Sequence, residues 1–543
     1  MLRITGYSIS SELTIGTIRF YQHIKNIIGD AVAADPDAEL IRYRSAYQTS
    51  MNQLQQLYHK TREQLSAAEA EIFEMHRMIL ADSRFHLAIE TAIIQDQKTA
   101  EYAVYSVGQK LWERFMAMED PYLQARGADI QDVMNRLLFV LSGKTESSLD
   151  HIAESFILMA EDLSPSETVQ MNSAKLLGFI THQGSPYSHT AILAKTMGIP
   201  ALMHIDIDEN WDGHLAIIDG EKQCLYIDPD ETLIREYQLK INSEKRKREE
   251  LQALIDLPAV TRDGCEVKLY ANINTPSDIS AAMEQGAEGI GLFRSEFLYI
   301  NIHEYPDEER QYDIYSDILE QMQDRHVVIR TLDLGADKKS PYLALEPEEN
   351  PALGYRAIRI CLSQPELFKV QLRALLRAAV HGKLHIMFPM IISLQEIRAI
   401  KELLETCKKE LTEKGIPYGN PFLGIMIETP AAAIMADELA EEVDFFSIGT
   451  NDLAQYTLAL DRNNARLHNF YDPHHPALIR LIGMTTEAAH RHHIPVCICG
   501  ESGADLTLTK TFLSMGIDAL SVAPNALLPL KKAIRETAIG YSE

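Results

Sequence analysis

His189 is the side chain in this sequence best placed for covalent chemistry. It lies in Gly184-Ser185-Pro186-Tyr187-Ser188-His189-Thr190-Ala191-Ile192-Leu193-Ala194-Lys195-Thr196-Met197-Gly198. Gly184 and Pro186 mark a turn, Ser188 has the type of an N-cap, and the residues up to Lys195 favour a helix. Gly198 suits the helix end, with Pro200 just beyond it. The spacing therefore predicts His189 on a first helical turn, where free backbone N–H groups favour a phosphate or another anion. A histidine in that place can carry a phosphoryl group as a covalent intermediate. A lone histidine beside a cap more often bonds the backbone, so the choice rests on what else the chain holds.

The second half holds a set of ionic residues at regular places. From Pro258 onward strand-like and helix-like stretches alternate, which predicts a parallel sheet. Eight strands are expected, starting near Val267, Gly289, Val327, Leu384, Phe422, Phe445, Pro495 and Ala519, a pattern that suits a (β/α)8 TIM barrel. Such barrels carry their chemistry at the C-terminal ends of the strands. Arg294 and Glu296 end the second strand, and Arg330 and Asp333 the third, followed by Gly335-Ala336-Asp337-Lys338. Glu428 ends the fifth, Asn451 and Asp452 the sixth, and Cys499-Gly500-Glu501 the seventh. Arg356 and Arg462 follow the third and sixth strands. Taken singly, an arginine at a strand end is often a salt-bridge partner, and a cysteine a small core residue. Together, several cations, a carboxylate pair and a thiol at one barrel mouth suit a small, highly anionic substrate with a metal.

The elements that must position these groups divide the chain. Its 543 residues suggest more than one domain. Two β-like runs occur within residues 4–21, and β-like segments resume at Phe156-Ile157-Leu158-Met159-Ala160 and Leu215-Ala216-Ile217-Ile218-Asp219. Between them, residues 37–145 are poor in Gly and Pro and carry apolar residues at helical spacing, which predicts about four helices. The expected organisation is an α/β domain of residues 1–30 and 146–230, an inserted helical subdomain of 31–145, a charged linker helix of 231–257 and the barrel of 258–543. In the insertion, His76 follows Phe73 by three residues and precedes Leu80 by four, so spacing alone puts it on an apolar, core-facing stripe.

Composition narrows the partners. With 46% hydrophobic and 24% charged residues the chain is ordinary for a globular protein. A formal charge of −27 argues against nucleic acid or an anionic membrane and leaves room for a basic protein partner. No apolar run is long enough for a membrane span, and the N-terminus lacks the apolar core of a signal peptide. The six scattered cysteines fit a reducing, cytoplasmic setting.

The segment Asp162-Leu163-Ser164-Pro165-Ser166-Glu167-Thr168, the run Gly178-Phe179-Ile180-Thr181 and the core Ser188-His189-Thr190 resemble the phosphohistidine region of phosphoenolpyruvate-utilising enzymes. Among these the chain is most similar to the enzyme I family of the bacterial sugar phosphotransferase system. Where that family has GGRTSHT this chain has GSPYSHT, so an arginine is absent from the loop. The strand-end residues match the same family's barrel, and the resemblance runs from about residue 4 to about 535.

The resemblance implies a two-step transfer. Arg294, Arg330, Arg356 and Arg462, with Lys338, Asn451 and Asp452, would bind phosphoenolpyruvate, and Glu428 and Asp452 would hold Mg2+. His189 would take the phosphoryl group, oriented by Thr168, and Cys499 would protonate the enolate to pyruvate. The α/β domain would swivel to pass the group to a histidine of the phosphocarrier protein HPr. The helix around Ala70–Leu80 and the segment Tyr122–Ile130 resemble the HPr-docking surface, with His76, Met78, Ile79 and Arg126 facing the partner. A homodimer through the barrel is implied as well. Two alternatives remain at this point: a pyruvate phosphate dikinase or phosphoenolpyruvate synthase, for which no Gly-rich nucleotide loop is visible, and a weakly active regulatory paralogue.

Overall fold

The computed structural model describes the chain except for residues 22–28, 65–66, 119–120, 144–153, 164–174, 185–190, 192–193, 195–197, 301–304, 336–345, 347, 463 and 541–543. It divides into two compact units, Met1–Arg246 and Lys247–Glu543.

The first unit is built on an eight-stranded sheet: β1 (Leu2–Thr5), β2 (Tyr7–Ser8), β3 (Leu13–Tyr21), β4 (Phe156–Ala160), β5 (Leu176–Thr181), β6 (Ala201–Met203), β7 (Leu215–Asp219) and β8 (Cys224–Ile227), in the order β1-β8-β7-β3-β4-β5-β6-β2. Strands β3 to β6 run parallel, and β7, β8, β1 and β2 add antiparallel edges. β4 is apolar at every position and buried at every position, as a strand covered on both faces requires. Thr17 of β3 pairs with Phe156 of β4, so sheet neighbours are separated in sequence by the whole helical insertion. A parallel pair needs a crossover connection, and here the crossover is a subdomain.

That subdomain has five helices among the described residues: α1 (Pro36–Gln64), α2 (Ala67–Leu80), α3 (Ser83–Ile94), α4 (Ala100–Met116) and α5 (Pro121–Ser142). Sequence periodicity predicts about four. The extra break falls after Leu80, where Asp82 caps α3 by accepting from the N–H groups of Arg84 and Phe85. One aspartate in a Gly- and Pro-free stretch is a weak stop signal, yet such a cap contributes about 1 kcal/mol. Tyr43, Leu54, Phe73, Ile89, Val104 and Leu137 belong to the subdomain's core.

The charged linker is a helix, α6 (Glu231–Gln252), with Tyr237 its buried residue. Tyr237 donates to the buried carboxylate of Asp219, and the rest of α6 is largely solvated.

The second unit is a closed parallel barrel of β9 (Lys268–Ile273), β10 (Gly289–Arg294), β11 (His326–Arg330), β12 (Leu384–Phe388), β13 (Phe422–Ile427), β14 (Phe445–Ile448), β15 (Val496–Ile498) and β16 (Ala519–Val522). Each strand starts within one residue of its expected place. Leu292, Val328, Met387, Met426 and Phe445, from five of the strands, form an apolar cluster with Cys499, just past the end of β15. At the start of β11 and β12, His326 and His385 lie ring against ring at 3.9 Å, flanked by Tyr270 and Phe422. Among the described residues no helix is long and apolar enough to cross a membrane.

Candidate active site

Strand pairing gathers the ionic residues. Arg294 and Arg330 are register partners at the C-terminal ends of β10 and β11. Ile427 of β13 pairs with Ile448 of β14, and Ile448 with Ile498 of β15. The residues just past those positions, Glu428, Gly449 and Cys499, therefore emerge side by side. All of them line one cavity of about 950 Å3, together with Arg356, Asn451, Asp452 and Arg462.

The arginines are of two kinds. Arg294 and Arg462 are exposed at the rim. Arg330 and Arg356 are sunk among acids. Arg330 lies 2.8 Å from Glu296 and 3.1 Å from Asp333, while Arg356 donates to the other oxygen of Asp333 at 2.8 Å. Arg356 also donates to the Tyr456 hydroxyl at 3.3 Å and lies 3.9 Å from Asp452. Burial opposes both guanidinium charges, but Asp333 with Glu296 for Arg330, and with Asp452 for Arg356, outweighs it and raises both pKa values. Both stay charged, held as a fixed donor fork suited to phosphate or carboxylate.

The acids facing them are under strain of charge. Burial first, then the neighbouring Asp452 and Asp333, push the Glu428 carboxyl well above its usual range. One of its oxygens accepts from the N–H of Met390 at 2.7 Å. Asp452 Oδ1 is buried, accepts no hydrogen bond and lies 3.6 Å from the Arg462 guanidinium. Beside Glu428 stands Gly449, where a Cβ would come within 3.1 Å of Glu428 Oε2. A buried carboxylate oxygen that accepts no hydrogen bond, a neighbouring acid that resists ionising alone and a glycine where a side chain would crowd that acid fit a hard divalent cation. Among the described residues no group of three or more His, Cys, Asp or Glu gathers to hold a metal.

Cys499 is buried, and its thiol is 3.6 Å from the carbonyl of Ile448. Burial pushes its pKa up, with the nearby Ser447 and Arg330 opposing. The proton is thus kept on sulfur at neutral pH, beside Leu292 and Met426. Asn451 points its amide oxygen at the Glu501 N–H, 3.1 Å away. A deep pair of guanidiniums, a metal-type acid pair and a protonated thiol suit a small anion whose carbon must be protonated.

The comparisons with known proteins decide between families. Residues 248–539 match the family described as PEP-utilising enzyme, PEP-binding domain, residues 152–223 its mobile domain, and residues 5–126 its N-terminal domain. The chain is 41% identical to a phosphoenolpyruvate-protein phosphotransferase of Staphylococcus carnosus over 92% of its own length and 88% of the relative's. The chain belongs to the phosphoenolpyruvate-protein phosphotransferase family. It is also 42% identical to the Geobacillus stearothermophilus member over 94% of this chain and 89% of that one. The Latilactobacillus sakei member is 40% identical over 98% and 94%.

A phosphoenolpyruvate-protein phosphotransferase is an enzyme that moves a phosphoryl group from phosphoenolpyruvate to protein, and the barrel is its phosphoenolpyruvate-binding part. Three of the expected site residues, His189, Thr168 and Lys338, lie outside the described residues, as does the side chain of Arg126. On α2, Met78 is exposed and Ile79 half-buried, but His76 departs from its expected partner-facing role. It is wholly buried between Asp129 and Asp132 of α5, each 3.2 Å away. The physical reason is helical periodicity: Phe73, His76 and Leu80 share the inward face, and all three are buried. Sequence reasoning assigned no role to Asp333, Tyr456 or Gln371. Gln371 had a signal, for it takes an apolar-face position between Phe368 and Leu375.

Proposed function

We propose that this enzyme phosphorylates itself on His189 from phosphoenolpyruvate and passes the group to a histidine of the phosphocarrier protein HPr, the opening step of a bacterial sugar phosphotransferase system. The observation that supports it is the pairing of Arg330 and Arg356 through one carboxylate, Asp333, above a protonated Cys499 in a cavity shared with Glu428 and Asp452.

In this reading Arg294, Arg330, Arg356 and Arg462, aided by Lys338, Asn451 and Asp452, hold the phosphate and carboxylate of the substrate. Members of this family work with a metal, and here we take it to be Mg2+ on Glu428 and Asp452, where it would supply positive charge to the substrate oxygens. A neutral ring nitrogen of His189, oriented by Thr168, forms the N–P bond while the bond from phosphorus to the enol oxygen breaks. The electron pair stays on that oxygen, and the guanidiniums spread the charge of the group in flight. The enolate carbon takes the Cys499 proton, giving pyruvate, and the thiolate regains a proton from solvent. HPr would dock on the helical subdomain near Met78, Ile79 and Arg126. A homodimer through the barrel and a cytoplasmic setting complete the proposal.

The test is transfer of label from phosphoenolpyruvate, followed to the protein and then to HPr. The His189→Ala chain should take up no acid-labile phosphate. Full labelling of that variant would overturn the assignment.

A further inference from the structure

A buried chain of amide and hydroxyl groups runs behind the arginines. Gln371 lies on the helix Pro365–Ala378, outside the barrel wall, and is fully buried. Its carbonyl oxygen accepts from the backbone N–H of Leu332 at 3.0 Å. Its amide donates to the Ser295 hydroxyl at 3.2 Å and to the Tyr315 hydroxyl at 3.0 Å. Ser295 in turn donates to the backbone carbonyl of Arg330 at 2.7 Å. On the far side, Tyr315 and Tyr299 both donate to Gln311, whose amide reaches the carbonyl of Pro306.

The inner contacts grip the segments that carry the ionic groups. Ser295 stands between Arg294 and Glu296, and Leu332 between Arg330 and Asp333. Leu332 and Asp333 lie beyond the end of β11. One amide side chain thus ties the end of β10 to the turn after β11. From the Gln371 amide the donations run through the Ser295 hydroxyl to the Arg330 carbonyl, and the Gln371 carbonyl oxygen takes the Leu332 N–H, so no member competes with another for a proton. Such a network inside a low-dielectric core is rigid when complete and costly when broken.

We infer that Gln371 is a positioning residue for phosphoenolpyruvate: through Ser295 and Leu332 it sets the placement of Arg330 and Asp333 that receives the substrate anion. This deepens the proposed function and rests on Arg330 binding the substrate. A site held this closely loses much when its supports shift by even 1 Å. A helper that only stabilised the fold would affect melting without affecting substrate affinity.

The experiment measures KM for phosphoenolpyruvate, kcat and the thermal midpoint in full-length variants. Gln371→Leu removes the three hydrogen bonds of Gln371 at similar volume and should raise KM at least tenfold. Tyr299→Phe, which leaves the three hydrogen bonds of Gln371 in place, should lower the thermal midpoint while KM stays within twofold. If Gln371→Leu does not fold, Ser295→Ala answers the same question: it should raise KM severalfold, and Ser295→Thr, which keeps the hydroxyl, should restore it. A KM within twofold of wild type in folded Gln371→Leu, or in Ser295→Ala, overturns the proposal. So does a KM that rises equally in Tyr299→Phe. Arg330→Met is the benchmark: if it binds phosphoenolpyruvate normally, the site reading itself fails, whatever Gln371 does.

Discussion

Met78 and His76 lie two residues apart on α2 and face opposite ways: Met78 is 69% exposed, and His76 is wholly buried between Asp129 and Asp132. The two should therefore fail differently. Met78→Asp is expected to slow transfer to HPr at least tenfold while self-phosphorylation stays normal, because it changes only a soft exposed side chain. His76→Ala should instead unfold the helical subdomain, since taking the cation from two buried acids costs roughly 3–5 kcal/mol. Both half-reactions and the subdomain's unfolding, measured on each variant, separate these outcomes. Equal loss of both reactions in Met78→Asp would mean a folding defect, and undiminished transfer to HPr would place the docking surface elsewhere.

Cys499→Ala removes a proton donor and no phosphate ligand. Pyruvate release from phosphoenolpyruvate is expected to fall by 100-fold or more, on the order of what a positioned acid contributes. Binding of phosphoenolpyruvate should change by less than threefold. Normal pyruvate release would show that another group or water supplies the proton.

Glu428→Gln and Asp452→Asn keep size and lose charge at the acid pair. Each should raise the Mg2+ concentration needed for half-maximal labelling by tenfold or more, and calorimetric titration of Mg2+ should weaken in step. An unchanged Mg2+ requirement in both variants would remove these residues from the metal.

The two units should respond to pH with opposite sign. Burial, then His385 and Lys383, push His326 down to about 3. Burial, then Lys383, push His385 down to about 4, with Asp444 opposing. Both are neutral when folded, and the unfolded chain binds more protons below about 6.5. The barrel should thus hold its full stability above about pH 6.5 and lose it as pH falls toward 4 and 3. For His76, burial opposes the charge, but Asp129 and Asp132 outweigh it and raise the pKa to about 9. Its contribution is complete below about pH 6.5 and is lost as pH rises through 9. Hydrogen exchange of barrel and α2 peptides across pH 4–9 reads both slopes. His385→Phe should flatten the acid slope in the barrel and leave the alkaline slope in α2 intact.

The order of elements, the barrel and the residues at its mouth were legible in the sequence alone. The reason is local. Buried strands are short apolar runs such as Phe445–Ile448, polar side chains that end them stand at one rim, and eight repeats of strand and helix leave little choice of closure. Helical spacing likewise put His76 inside, and the structure bears that reading out over the one drawn from resemblance. The tertiary structure alone decided the pairings. That Thr17 lies against Phe156, that one carboxylate serves both Arg330 and Arg356, and that Gln371 grips Leu332 and Ser295 are contacts across long stretches of chain. Periodicity tells which face a side chain is on. Which partner it meets there depends on the closing of the sheet and the seating of each helix, and those are properties of the whole packed unit.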